Sequence, residues 1–194
     1  MNLALFDFDG TITDKDSFLL FLRYIAGRKF YPGLARLTPW LTAYLVGLYA
    51  NDKLKERFLT TFLTGWSEDA LTASAQAFRQ SILPGIVRPR SLEQIARHQR
   101  QKDTIVLVSA SPEPMLAPWC KEQNMELIGT RLEMKNGKTT GKIKGKNCWG
   151  NEKVRRILAA YDINEFEQID AYGDSKGDLP MLELAHTSHY KPFT

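Results

Sequence analysis

Leu3-Ala4-Leu5-Phe6-Asp7-Phe8-Asp9-Gly10-Thr11-Ile12 is the stretch from which the fold can be read. Its first four residues form an unbroken apolar run, the pattern of a strand buried on both faces of a parallel sheet. The run stops at two carboxylates followed by Gly and Thr, so acidic groups fall at the carboxyl end of that strand. In open α/β sheets this edge is where ligands bind. Asp7 and Asp9 repel each other unless a cation stands near both, and a hard cation such as Mg²⁺ suits carboxylate oxygens. The plainer reading is a strand closed by a polar turn, since Asp-Gly is a common turn pair.

Two later segments repeat the arrangement. Ile105-Val106-Leu107-Val108 is a second apolar run, and it ends at Ser109, Ala110, Ser111 and Pro112. A third strand candidate near Gln168–Tyr172 leads into Gly173-Asp174-Ser175-Lys176-Gly177-Asp178-Leu179-Pro180. Lys153 opens an amphipathic helical pattern from Asn151 to Tyr161. Three strand ends therefore carry Asp/Asp, Ser and Asp/Asp, joined by one Lys. A phosphoryl-transfer site needs a nucleophile, an acid/base, a hydroxyl donor, a cation and metal ligands, and this set supplies them.

Read in order, DFDGT (Asp7–Thr11), VLVSAS (Val106–Ser111), Lys153 in NEKV and GDSKGD (Gly173–Asp178) resemble the four motifs of the haloacid dehalogenase-like (HAD) phosphatase superfamily. They span nearly the whole chain. Thr130-Arg131-Leu132-Glu133 through Gly137-Lys138, Thr140-Gly141, and Gly177-Asp178-Leu179-Pro180-Met181-Leu182 are similar to its phosphoserine-phosphatase-like branch. The resemblance implies an α/β fold, with a Rossmann-like parallel sheet core and an inserted helical cap. It also implies a role for each residue. Asp7 would be the nucleophile and form an aspartyl-phosphate. Asp9 would serve as acid and then base. Ser109 and Lys153 would hold the phosphoryl oxygens. Mg²⁺ would be bound by Asp7, the Asp9 backbone carbonyl and Asp174, with Asp178 behind them orienting water or Lys153. Gly10 would let the backbone turn its N–H toward the phosphate, and Ala110 would line the substrate. Whatever the family, a carboxylate nucleophile and a phosphate dianion repel, so positive charge must screen them.

Two other classes fit less well. A dehalogenase would keep Asp7 but has no use for Asp9 or a full metal site. A catalytically silent phospho-ligand-binding protein on the same fold should have lost a catalytic group, and none is missing.

From Asp14 to about Leu83 no strand is convincing. Helical patterns run instead over Ser17–Tyr24, Leu34–Tyr49, Lys53–Leu63 and Glu68–Ser81, until Pro84-Gly85 breaks them. The expected division is a core of residues 1–13 and 85–194 with a helical cap of residues 14–84, which would close over the site and exclude water. A further helix is expected over Ser91–Gln101, and then one over Pro112–Gln123. A strand over Met125–Gly129, an Asn136-Gly137 hairpin turn and a short last strand within Thr187–Phe193 complete the reading.

The cap holds the least ordinary segment. Leu37 to Ala50 carries no charge over 14 residues and interleaves Trp40, Tyr44 and Tyr49. About 20 apolar residues are needed to cross a bilayer, so this run is too short, and Pro39 argues against an uninterrupted span. It reads either as a helix packed inside the cap or as a surface dipping into a membrane interface. In the second case Arg23, Arg28, Lys29 and Arg36 would attract anionic headgroups. Some cap-bearing relatives, such as the bacterial phosphatidylglycerophosphate phosphatases, act on lipid phosphates and have an apolar segment here. Asp16 stands nine residues after Asp7, where phosphoserine phosphatases usually carry the longer Glu that holds the substrate's amino-acid part. Arg57 would match their cap Arg. The plainer role for Asp16 is to cap the helix that starts at Ser17.

Composition bounds the remainder. The 194 residues are 43% hydrophobic and 25% charged with net charge +4, an ordinary globular balance for one core with a small lobe. That modest charge suits a phosphate ester and gives no reason to expect nucleic acid. Cys120 and Cys148 lack metal-type spacing and read as thiols in a reducing cytosol. The first strand begins at once, which leaves no room for a secretion signal and points to a cytoplasmic protein. His98 falls on a polar helix and reads as solvated. His186 and His189 have no ligand spacing, and Asn147 and Trp149 are placed to shape the loop before Lys153, with Trp149 a second candidate for a lid.

Overall fold

The computed structural model describes residues 1–194. From the N-terminus, β1 (Asn2–Phe6) leads to four helices, α1 (Ser17–Ala26), α2 (Phe30–Leu45), α3 (Asn51–Leu63) and α4 (Glu68–Ser81). Helix α5 (Pro89–Gln101) returns the chain to β2 (Thr104–Pro112), followed by α6 (Glu113–Glu122) and β3 (Glu126–Thr130). A hairpin of β4 (Leu132–Lys135) and β5 (Lys138–Ile143) precedes α7 (Asn151–Ala160), β6 (Gln168–Gly173), α8 (Leu179–Leu184) and β7 (Thr187–Tyr190).

The main sheet has the order β3-β2-β1-β6-β7, and every neighbouring pair in it is parallel. Its central strand shows why the opening run is apolar throughout. Leu3 and Leu5 pack with Val106, Val108, Ile157 and Met181 on one face. Ala4 and Phe6 pack with Leu107, Ile95 and Leu116 on the other. Helices α7 and α8 cover the first face, α5 and α6 the second, so side chains of both parities are buried. The chain winds outward in both directions from β1, and the crevice at that switch point lies between the carboxyl ends of β1, β2 and β6.

Helices α1 to α4 form the lobe that the periodicity predicts. Two chain segments connect it to the sheet and run side by side: the Asp14 N–H donates to the Ile86 carbonyl at 2.8 Å, and the Arg88 N–H to the Ile12 carbonyl at 2.8 Å. Phe21, Leu22, Leu59, Leu63, Leu71 and Phe78 fill the lobe's interior. The helix expected over Leu34–Tyr49 starts earlier, at Phe30, ends at Leu45, and runs through Pro39. Pro39 and Ala35 are both exposed, so the carbonyl that loses its helical partner at Ala35 can turn to water. No helix is long and apolar enough to cross a membrane.

The hairpin forms where Asn-Gly predicted it, with Asn136 at φ 52° and Gly137 at φ 70°. It leaves the sheet and joins the lobe: the Gly65 N–H donates to the Thr139 carbonyl at 2.8 Å and the Thr139 N–H to the Trp66 carbonyl at 2.8 Å. Pairing between segments so far apart leaves no local trace in the sequence.

His98 is a correction. It is 4% exposed rather than solvated. Its Nδ1 lies 2.8 Å from Asp103 and its Nε2 2.9 Å from the Tyr172 hydroxyl, with the ring edge-on to Phe6. Ser91, Ile95 and His98 recur at i, i+4 and i+7 on α5 and together face the sheet. Both cysteines are free and buried, and burial raises their thiols to about 12 for Cys120 and about 11 for Cys148.

Candidate active site

A cavity of about 240 Å³ opens at the carboxyl ends of β1, β2 and β6, lined by Asp7, Asp9, Ser109, Ala110, Lys153 and Asp178 among others. Each sits there for a local reason. The Asp7 N–H donates to the Tyr172 carbonyl at 2.9 Å, continuing the β1–β6 ladder one residue past the strand and fixing the side chain at the edge. Lys153, on the first turn of α7, is 1% exposed. Its Nζ donates to Asp7 Oδ1 at 2.6 Å, Asp178 Oδ1 at 2.6 Å and the Val108 carbonyl at 2.7 Å. An ammonium has three donors, so all of them are used.

Charge in this cluster is unbalanced. Asp7, Asp174 and Asp178 each bring a carboxylate oxygen within 4.8 Å of the others, against the single ammonium of Lys153. Burial raises the Asp7 carboxyl from 3.8 to about 7, and Lys153 only partly offsets that. Burial alone would lower Lys153, but Asp7 and Asp178 outweigh it and hold the ammonium protonated above its usual range. Asp178, likewise buried, is nonetheless pulled below the usual carboxylate range by Lys153. Asp174 is raised by its burial and by the nearby Asp178 charge. A group of oxygen donors with excess negative charge fits a hard divalent cation such as Mg²⁺. Asp7 and Asp174 are the residues free to hold one. Asp178 is already occupied, since its second oxygen accepts from the Ser175 N–H at 2.9 Å and the Ser175 hydroxyl at 2.7 Å.

Gly10 is required by contact rather than by a turn alone. Its φ is 89°, and a Cβ there would land on the Asp174 carboxylate. The Thr11 hydroxyl steadies that carboxylate at 3.2 Å.

Asp9 is held quite differently from Asp7. Its Oδ1 accepts from the Ser17 N–H at 2.6 Å and its Oδ2 from the Ser111 hydroxyl at 2.7 Å. The first of these donors belongs to the N-terminus of α1, where an anion is favoured. Asp9 therefore turns away from Lys153 and into the cavity. The Ser109 hydroxyl accepts from the Ser111 N–H at 3.0 Å, which leaves its own proton free to point at a ligand. The Ala110 carbonyl accepts from the Thr130 hydroxyl at 2.7 Å.

Of the lobe residues, Asp16 occupies a place that allows both readings. It caps α1 by accepting from the Leu19 N–H at 2.8 Å, and it also lines the cavity, with its carboxyl raised by burial and by the Asp9 charge. Arg57 does not reach the cavity. It lies over the Trp40 ring at 4.3 Å, with its Nε 3.4 Å from the Tyr49 hydroxyl. The cation that enters is Lys55, two residues earlier and about 200° away around α3. Its Nζ donates to the Ala110 carbonyl at 2.5 Å, and burial lowers it to about 8. A signal was present in the sequence: Lys55 shares a helical stripe with Leu59 and Phe62, both buried. Ser111, Ser175 and Asn51 also line the cavity and were not singled out. Trp149 forms part of its rim, and its indole packs against Gly177, where a Cβ would collide with the ring.

Known proteins agree with this architecture. Residues 4–183 match the family model of the haloacid dehalogenase-like hydrolases. The chain is 37% identical to the protein CicA of Caulobacter vibrioides, covering 98% of this chain and 86% of that one. A phosphoserine phosphatase of Mycobacterium tuberculosis is 25% identical over 95% of this chain and 63% of its own length. A solved structure of a protein of unknown function from Bordetella pertussis superposes with a TM-score of 0.84 at 26% identity, over 96% of this chain and 88% of that one.

Proposed function

The chain belongs to the haloacid dehalogenase-like hydrolases, among phosphatases of the phosphoserine-phosphatase-like kind, and from that premise we propose a Mg²⁺-dependent phosphomonoesterase that works through an aspartyl-phosphate. The observation that carries the reading is the unlike treatment of two carboxylates on one strand end. Asp7 is paired with Lys153, while Asp9 is held by Ser111 and the start of α1.

Asp7 attacks phosphorus and the ester P–O bond breaks. Asp9 gives its proton to the departing oxygen, which leaves as an alcohol. Water then enters, loses a proton to Asp9 and attacks the same phosphorus, and the P–O bond to Asp7 breaks to release inorganic phosphate. Ser109 donates to a phosphoryl oxygen, and Lys153 supplies positive charge beside it. Mg²⁺, held by Asp7, Asp174 and the Asp9 carbonyl, would neutralise charge on the phosphoryl oxygens. Asp178 holds Lys153 in place. Residues 14–84 act as a cap over the core formed by residues 1–13 and 85–194 and exclude bulk water.

Phosphoserine is a second reading within this class. Asp16 and Lys55 place opposite charges in one cavity, as a zwitterionic leaving group requires.

The test is aryl phosphate turnover under metal control. EDTA should abolish it and Mg²⁺ restore it, whereas Ca²⁺, with its larger and looser shell, should not. Full activity in EDTA would overturn the proposal.

A further inference from the structure

The mouth of the cavity is assembled from parts distant in sequence. Asn51, the first residue of α3, lines both the cavity and an adjoining groove that holds Trp149, Lys146 and Arg155. Lys146 and Arg155 continue into a further groove with Arg131 and Lys144. Just before Asn51, the turn from α2 to α3 raises Leu45, Val46 and Leu48 into solvent, at 80%, 63% and 82% exposure. Leu48 lies three residues from Asn51, within about 11 Å even if the chain were fully extended. Trp40 and Leu41, from the same uncharged run, instead pack against the lobe interior. Lone exposed apolar residues are ordinary, but three within four positions at the rim of a site mark a contact surface.

Basic groups outnumber acids around this turn. Lys144 and Lys146 have no carboxylate within ion-pair distance. Of the two acids in the same grooves, Glu152 is held by Arg155 and Arg156, which leaves Asp52. Two of the cations that precede the run in sequence are placed elsewhere. Arg28 and Lys29 precede α2, whose 16 residues put them about 24 Å from the turn. A second copy of the chain would bring the same basic rim and a net charge of +4 to the contact, so like would meet like.

We propose that this rim docks on an anionic lipid bilayer. Leu45, Val46 and Leu48 enter the boundary between headgroups and acyl chains, and Lys144 and Lys146 face headgroup phosphates. The cavity mouth then stands at the level of the headgroups, and the phosphomonoesters that reach Asp7 are those the bilayer presents. This substrate statement rests on the phosphatase reading, whereas the docking does not.

Cosedimentation at low salt tests it, with vesicles of equal parts phosphatidylglycerol and phosphatidylcholine against vesicles of phosphatidylcholine alone. Wild-type protein should bind the mixed vesicles and not the neutral ones. Leu45→Ser/Leu48→Ser and Lys144→Glu/Lys146→Glu should each lower the partition coefficient by about tenfold or more, with unchanged turnover of a soluble aryl phosphate. Wild-type protein that ignores the mixed vesicles, or variants that bind as wild type does, would overturn the docking. So would a concentration-dependent dimer that Leu45→Ser/Leu48→Ser abolishes, since the turn would then belong to a second copy. Protein that binds the mixed vesicles yet hydrolyses no aryl phosphate would uphold the docking and remove the phosphatase reading instead.

Discussion

Lys153 and Lys146 stand at the two ends of one connected set of cavities, and they are treated in opposite ways. Lys153 is buried on the first turn of α7 and gives all three donors to fixed acceptors, Asp7, Asp178 and the Val108 carbonyl, at the edge of the sheet. Lys146 is exposed on the loop after the β4–β5 hairpin with no acid within ion-pair distance, in a groove that reaches the start of α3 and the turn before it, whose apolar side chains meet water. Groups that must hold still while bonds break are saturated by the protein. Groups that must meet something outside are left open. Lys55 falls between these extremes, tethered by one hydrogen bond to Ala110 and desolvated enough to titrate near about 8.

The sharpest way to break this contrast is at Asp9. Asp9→Asn keeps the shape and the contact with the Ser17 N–H but cannot exchange a proton. Turnover of an aryl phosphate should fall by roughly 10²–10⁴, the usual worth of general acid–base catalysis, while Mg²⁺ binding measured by calorimetry persists. A loss below tenfold would remove Asp9 from the acid/base role.

Lys153→Met tests saturation itself. Removing one partner from a buried ion pair costs about 3–5 kcal/mol, which urea unfolding in metal-free buffer would read. The cost depends on pH. In the folded protein Asp7 is raised to about 7 from 3.8, and without Lys153 it rises further. Below that range the carboxyl stays neutral and the loss is softened, whereas at higher pH it must ionise without a partner and the loss grows. A cost that shrinks as pH rises would contradict the assignment.

Lys55 and Arg57 separate the lobe's inner and outer cations at smaller scale. Lys55→Met should raise KM for phosphoserine roughly tenfold, the worth of one charge-assisted hydrogen bond of about 1.5 kcal/mol. Arg57→Ala should change it less than about twofold, as for a surface contact. The Lys55 ammonium is present below about 8 and lost above it, so wild-type KM should climb with pH through that range while the Lys55→Met profile stays flat. Equal effects from both substitutions would mean that helix α3 is turned differently over the site.

Lys153 and Lys55 also mark where sequence reading succeeds and fails. The sheet edge was legible because each element of it is local: an apolar run of four residues followed at once by its polar motif at β1 and β2, and a mixed strand leading straight into Gly173–Asp178 at β6. Buried parallel strands admit little else at such positions. Which cation of α3 faces inward depends on helical phase, and two residues turn Arg57 to the outside. His98 was misjudged for a related reason, since a helix with many charges still buries one stripe, and Tyr172 and Asp103 complete that stripe from elsewhere. The basic groove at the mouth was invisible because the pairing of β5 with α3 joins segments some eighty residues apart, as in the contact of Thr60 with the Gly141 carbonyl. The uncharged run is plain in the sequence, yet its pattern does not show that Trp40 turns inward while Leu45 and Leu48 turn out.

The central claim is that Asp7 carries the phosphoryl group during turnover. Acid quenching of the Mg²⁺-loaded protein with a labelled aryl phosphate, followed by peptide mass spectrometry, reads this directly. Wild-type protein should yield an acid-stable, base-labile phosphopeptide modified at Asp7, and Asp7→Asn should yield none and show no turnover. A base-labile phosphoprotein that persists in Asp7→Asn, or turnover that survives that substitution, would contradict the account.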